Sequence, residues 1–432
     1  MRAGRSTALS LTDQPATSTP RLDARVLVLA GGLGVLGAVG GSAFLAVVEH
    51  AQHALFSTLP DALGLDGAPW WWSGGVLAIG ALALMALRRL PGATGPGPLT
   101  GFHFDTPLRH APSILLASFA TLVCGMALGP EAALIGVGVA VGAAAMRNGP
   151  ADRMRLAMFL GGIAAIGAVF GSPFVVAFMV LEMIALAGIP AMAIVPALVA
   201  LAAGYLVQIG IWGWPGFGLH PLAVDGLPAY PAVRAGDLLV AAGVAFGAAA
   251  IAGGVRIAAE RVDRAGRARP NAVLLGAALA TAAVLAVAEV GFDVPRDLIL
   301  FSGQSGMDGL LAQTSVGIVV VILVAKGVAY AAALGGGFRG GPIFPATFLG
   351  VAVGVLATLL VPSADASPLA ATGIAAAAAL MTRLPATSAL LAALLISGTG
   401  PAIAPFAILG AVVGLVVRLA MDRRWAPPAA TP

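Results

Sequence analysis

The chain has 432 residues, of which 59% are hydrophobic and only 10% charged, with a mean hydropathy of +0.98. Soluble domains carry about 25% charged residues, so a water-soluble enzyme is excluded, and 58 glycines with 30 prolines exclude a bundle of uninterrupted helices. The net charge of +4 includes no basic stretch interleaved with aromatics, so nothing points to nucleic acid.

At about 20 residues per span, the apolar content supplies roughly a dozen membrane crossings. The predicted class is an all-α polytopic protein of the cell membrane. Residues 1–24 carry the charge of a signal-peptide start without its apolar core, and read as a disordered cytoplasmic tail. Arg2, Arg5, Arg21 and Arg25 precede the first apolar stretch, about Val26 to Val48, which puts the N-terminus inside. The loop Phe56 to Trp72 carries Asp61 and Asp66 but no Lys or Arg, which suits the outer face, with Trp70, Trp71 and Trp72 as an interfacial belt. Arg88 and Arg89 bring the chain back inside. The run Arg256 to Arg269 reads as the strongest basic cytoplasmic loop. Arg418, Arg423 and Arg424 then put both termini in the cytoplasm. The expected division is a transmembrane domain over 25–425 and a short tail over 426–432.

Cys124 is the single cysteine, so no intramolecular disulfide or cysteine-based metal cluster is expected. His50 and His53 share a helical face, and His103, Asp105 and His110 cluster in a loop. None fits a metal motif. With no nucleophile–base constellation either, the sequence predicts no enzyme, no metal and no cofactor.

A repeat is present at an offset of 212 residues. Gly129-Pro130 recurs as Gly341-Pro342, Gly161 as Gly373, Ala164-Ala165 as Ala376-Ala377, and Pro173 as Pro385. LIGVGVA (Leu134 to Ala140) resembles FLGVAVG (Phe348 to Gly354) once two residues are inserted. Duplicated halves with broken helices predict an inverted repeat over residues 111–215 and 315–422, with a site where half-helices meet. Each helix start presents unpaired N–H groups and about half a positive charge, so two such starts favour an anion. Gly followed by Pro suits a start, because proline lacks a donor that would be unpaired there anyway. A cation site would want converging carboxylates. Only Glu131 and Glu182 lie well inside the apolar stretches of the first half.

These residues resemble the CLC family of chloride channels and proton-coupled chloride exchangers, from about Val26 to Arg424. GATGPGP (Gly92 to Pro98) is similar to the family's GSGIP, MALGP (Met126 to Pro130) to GREGP, and GPIFP (Gly341 to Pro345) to GxFxP. FGSPFVVAFMVLEM (Phe170 to Met183) resembles FNAPLAGxLFxxE, and Lys326 matches a basic residue common in the family. The resemblance implies a CLC-like inverted repeat assembled as a homodimer with one pore per subunit. It implies chloride or a similar small anion as cargo, held near Thr94, Gly129, Gly341, Ile343 and Phe344. Pro342 has no N–H, so Phe344 serves as second donor if the helix starts one residue later.

The chain departs from the family at the side chains of the proton mechanism. The gating glutamate falls on Leu128 and its neighbouring arginine on Ala127. The inner proton-transfer glutamate falls on Met183, with Glu182 beside it, and the coordinating tyrosine has no counterpart among Tyr205, Tyr230 and Tyr330. A bacterial branch known only as ion-transport proteins has a similar LGPE motif. The resulting expectation is passive anion movement without proton coupling. The alternative is an antiporter using Glu131 or Glu182 as a substitute carboxylate, or a relative specialised for another anion. Glu131 has two readings: a carboxylate stabilising its helix dipole, or a gate moved three residues along. Glu182 reads as satisfying buried backbone groups. Arg339 reads as part of an electrostatic funnel, with a solvated loop residue as the alternative.

Overall fold

The computed structural model describes residues 23–187, 189–218 and 224–425. The tails predicted at 1–24 and 426–432 lie outside them except for Asp23 and Ala24. The described chain is helical throughout, in the order α1 (Ala24–His53), α2 (Leu59–Ala62), α3 (Trp70–Leu87), α4 (Ala111–Val123), α5 (Glu131–Ala145), α6 (Ala151–Phe170), α7 (Pro173–Ala187) and α8 (Ile194–Ile209). The second half contains α9 (Ala235–Ala268), α10 (Pro270–Phe292), α11 (Met307–Leu311), α12 (Val316–Gly335), α13 (Ile343–Leu360), α14 (Ala366–Thr382), α15 (Pro385–Leu395) and α16 (Ala404–Trp425). Among the described residues, nine helical segments are long and apolar enough to cross a membrane. The dozen crossings expected from composition are too many because α4, α5, α7, α14 and α15 are shorter apolar helices of 10–17 residues. A start such as that of α5, at the fully buried Glu131, lies inside the protein rather than at its surface.

Two sequence boundaries shift for physical reasons. Trp70–Trp72 form the first turn of α3 rather than the end of a loop, with the Trp72 indole donating to the Leu55 carbonyl at 2.8 Å. The basic run Arg256–Arg269 is not a loop but the overhang of α9. Alanine, arginine and glutamate favour helix, and Arg256–Glu260 (3.0 Å) and Asp263–Arg267 (3.3 Å) pair one turn apart. Pro270 then begins α10 after a non-helical Arg269.

The 212-residue offset holds without any insertion. Glu131 and Pro173, which start α5 and α7, map onto Ile343 and Pro385, which start α13 and α15. GVGVAVG (136–142) aligns directly with FLGVAVG (348–354), which corrects the two-residue shift expected from the motifs. Packing repeats as well. A β-carbon at Gly138 would strike the Gly161 backbone, and one at Gly350 would strike Gly373, so α5–α6 and α13–α14 touch at equivalent glycines. Gly171 ends α6 in the left-handed region at φ 62°, and its equivalent Arg383 ends α14 at the same φ.

The two halves meet at Gly129 and Gly341. The Gly129 N–H donates to the Gly341 carbonyl at 2.8 Å, and the Gly341 N–H returns a bond to the Gly129 carbonyl at 2.6 Å. Equivalent residues that exchange identical bonds lie on a two-fold axis. The axis relating the halves therefore passes between these glycines.

Candidate functional site

Pro130 and Pro342 are the N-cap residues of α5 and α13, so each helix proper starts one residue later. The free donors at the start of α13 are the N–H groups of Ile343 and Phe344. Both point at one acceptor, Oε1 of Glu131, at 2.9 and 3.0 Å. Carboxylate hydrogen bonds to backbone N–H are of the strong, charge-assisted kind. The other oxygen, Oε2, is buried without a partner. It occupies space left by two missing side chains, because a β-carbon at Gly129 or Gly341 would overlap the carboxyl group. The glycines thus make the room, the start of α13 supplies the donors, and Glu131 fills the cradle.

A cavity of about 1040 Å³ has Pro342, the N-cap of α13, in its lining. Its walls include Glu182, Met183, Arg256, Arg383 and Arg418. Asp422 pairs with Arg418 at 3.0 Å and also with Arg383, while Arg256 pairs with Glu260. The wall is therefore rich in guanidinium groups, most of them with a carboxylate neighbour.

The residues singled out in the sequence separate into those near the cradle and those elsewhere. Gly129, Gly341, Ile343, Phe344 and Glu131 are brought together. Leu128 is buried next to them, packed against Gly340. Thr94 is not brought in as a donor. It lies in a tight turn at φ 73°, where its hydroxyl donates to the Ala93 carbonyl at 2.5 Å and its own carbonyl accepts from Arg339 at 2.9 Å. The turn directs the hydroxyl back on its own chain, and the cavity wall is made instead by Pro98 to Phe102 of the same loop. Met183 faces the cavity. Glu182 binds the start of α15, accepting from Ala386 N–H at 2.7 Å, Thr387 N–H at 2.8 Å and the Thr387 hydroxyl.

The two cations singled out in the sequence also hold backbone. Arg339 donates to the Thr94, Gly337 and Phe338 carbonyls at 2.9–3.1 Å, so it braces a loop rather than forming a free funnel charge. Lys326 is fully buried, donates to the Leu300 and Phe301 carbonyls at 2.7 and 3.1 Å, and lies 4.9 Å from the Phe348 ring centroid. Tyr330 is a neighbour of the site that sequence reasoning misses. Its hydroxyl reaches the Pro342 carbonyl at 2.5 Å, and the available signal is a polar ring inside an apolar run 11 residues before Gly341.

The sequence profile described as "Voltage gated chloride channel" matches residues 97–419. Among curated relatives, YfeO of Salmonella newport, provisionally named an ion-transport protein, is 29% identical over 336 residues, covering 75% of this chain and 78% of its own. YfeO of Escherichia coli strain SE11 is 28% identical over 333 residues, covering 74% and 76%. Among solved structures, a slow cyanobacterial Cl⁻/H⁺ antiporter superposes with a TM-score of 0.74 at 18% identity, covering 93% of this chain and 95% of that one. A CLC-type fluoride/proton antiporter gives 0.69 at 17% identity, covering 91% and 95%. With the family profile spanning most of the chain, over a fold shared with these transporters, the protein belongs to the voltage-gated chloride channel (CLC) family of membrane ion transporters.

Proposed function

We propose that this protein moves chloride, or an anion of similar size, through the cradle at the starts of α5 and α13, and that Glu131 controls entry to it. The observation that carries the reading is the pair of bonds from the Ile343 and Phe344 N–H groups to Glu131. An ionised carboxylate there takes the donors that an anion would need. A protonated one carries no charge, holds the donors less strongly and cedes them. Binding of proton and anion is then linked at one group, and anion flux rises as pH falls. Leu128 does not titrate, so the gating role passes to Glu131, and its helix-dipole reading becomes the lesser one.

The net movement is passive in this reading. Antiport needs protons delivered to Glu131 from the cavity side, where Met183 does not titrate and Glu182 is committed to the start of α15. The cavity lies at the arginine-rich end of the molecule, which the positive-inside rule assigns to the cytoplasm. The reading further takes each subunit of a homodimer to hold its own pathway.

The test is anion efflux from liposomes with pH recorded at the same time. Wild type is expected to speed up with acidification, and Glu131→Gln to run fast at every pH, since the amide carries no charge. Equal pH dependence in both proteins would remove Glu131 from the gate. Sustained uphill proton movement driven by a chloride gradient would replace passive flux with antiport.

A further inference from the structure

We infer that Tyr330 is a positioning residue that sets how strongly the Ile343 N–H binds the anion, an inference that rests on the proposed function of the cradle. Tyr330 sits fully buried on α12, and its hydroxyl donates to the Pro342 carbonyl. That carbonyl and the Ile343 N–H are the two ends of one planar peptide group. The three groups form a chain: the Tyr330 hydroxyl donates to the Pro342 carbonyl at 2.5 Å, and the Ile343 N–H of the same peptide donates to Glu131 at 2.9 Å. A donor at the carbonyl end draws electron density from the peptide nitrogen and makes its N–H a stronger donor, so bonds in such a chain reinforce one another. The side chain therefore acts on the anion without touching it.

The first half of the repeat is arranged differently. The equivalent carbonyl, on Pro130, accepts from the Leu134 N–H of its own helix at 3.0 Å. The position equivalent to Tyr330 is Ser118, also buried but with a far shorter side chain. The phenol is thus specific to α13, the half whose amides act as donors to the shared acceptor. A tyrosine kept only to fill space would not need its hydroxyl on this particular carbonyl.

The experiment measures chloride flux against chloride concentration in liposomes. It uses the full chain carrying Glu131→Gln, so that the amides report on the anion and not on the carboxylate. Adding Tyr330→Phe is expected to raise the half-saturating chloride concentration about two- to fivefold, the loss of one cooperative link to a charge-assisted bond. Replacing Tyr330 with ring-fluorinated tyrosines should lower that concentration in the order of hydroxyl acidity. A purely structural hydroxyl would change melting temperature or yield and leave half-saturation alone. If Tyr330→Phe does not fold, the fluorotyrosine ranking decides. Half-saturation that stays constant across the series overturns the inference. Wild-type protein that neither passes nor, by calorimetry, binds any small anion overturns the proposed function and this inference together.

Discussion

Glu131 and Ile343 are equivalent residues of the two halves, 212 positions apart, and they are bonded to each other: the Ile343 N–H donates to Glu131 Oε1 at 2.9 Å. The repeat interval therefore measures a direct contact. One half supplies an acceptor and the other the donors, and both stand beside the glycine pair that lies on the axis.

The room for the carboxyl group depends on Gly341. A methyl group there would overlap Glu131, and overpacking of this kind costs about 1–3 kcal/mol. Gly341→Ala is expected to lower the melting temperature. In a Glu131→Ala background, where alanine vacates the space, the same Gly341→Ala change should lower the melting temperature much less. An equal loss in both backgrounds would place the clash elsewhere.

Thr94 carries the family's expected hydroxyl donor, yet that hydroxyl is bound to the neighbouring Ala93 carbonyl. Thr94→Ala should therefore leave half-saturating chloride unchanged in liposome flux and affect only stability. A large rise in half-saturation would show that the turn opens to present the hydroxyl.

Glu182 ties the start of α15 to α7 through two N–H groups and a hydroxyl. Glu182→Gln is expected to destabilise the fold by about 1–2 kcal/mol, as for the loss of a helix cap. The pH dependence of flux should stay as in wild type. A flattened pH profile would instead give Glu182 a share in proton movement.

Asp422 holds both Arg383 and Arg418 at the cavity wall. Asp422→Asn leaves those cations without their shared carboxylate, so the cavity attracts anions more strongly. Flux at low chloride should rise in low-salt buffer, and the difference should fade as added salt screens it over about 10 Å. An increase that persists in high salt would point to a change of shape rather than of field.

Much of this arrangement is legible in the sequence because it depends on backbone. Gly-Pro pairs mark helix starts, and their spacing sets the repeat, while the family resemblance names Ile343 as a donor and Phe344 as the second if the helix starts one residue later. The same offset, applied to single residues rather than to motifs, puts Glu131 opposite Ile343. Side-chain direction is not legible. Thr94 matches its motif position, but the left-handed turn at that residue sends the hydroxyl back to the chain. Arg339 reads as a funnel charge or a solvated loop residue, and it is engaged with carbonyl groups that no motif reveals. Buried polar groups need partners, but the sequence does not say which ones.

The mutual bond between Gly129 and Gly341 has a consequence for how such a chain can diverge. Anything placed near the axis faces its own copy. With glutamate at both 131 and 343, two carboxylates would confront each other at a separation where they cannot both be ionised. With an apolar residue at both, the donors would face one another across a void. Gene duplication alone yields only those matched outcomes. A single substitution at one of the two positions breaks the tie, and a symmetric shell then gains a donor side and an acceptor side.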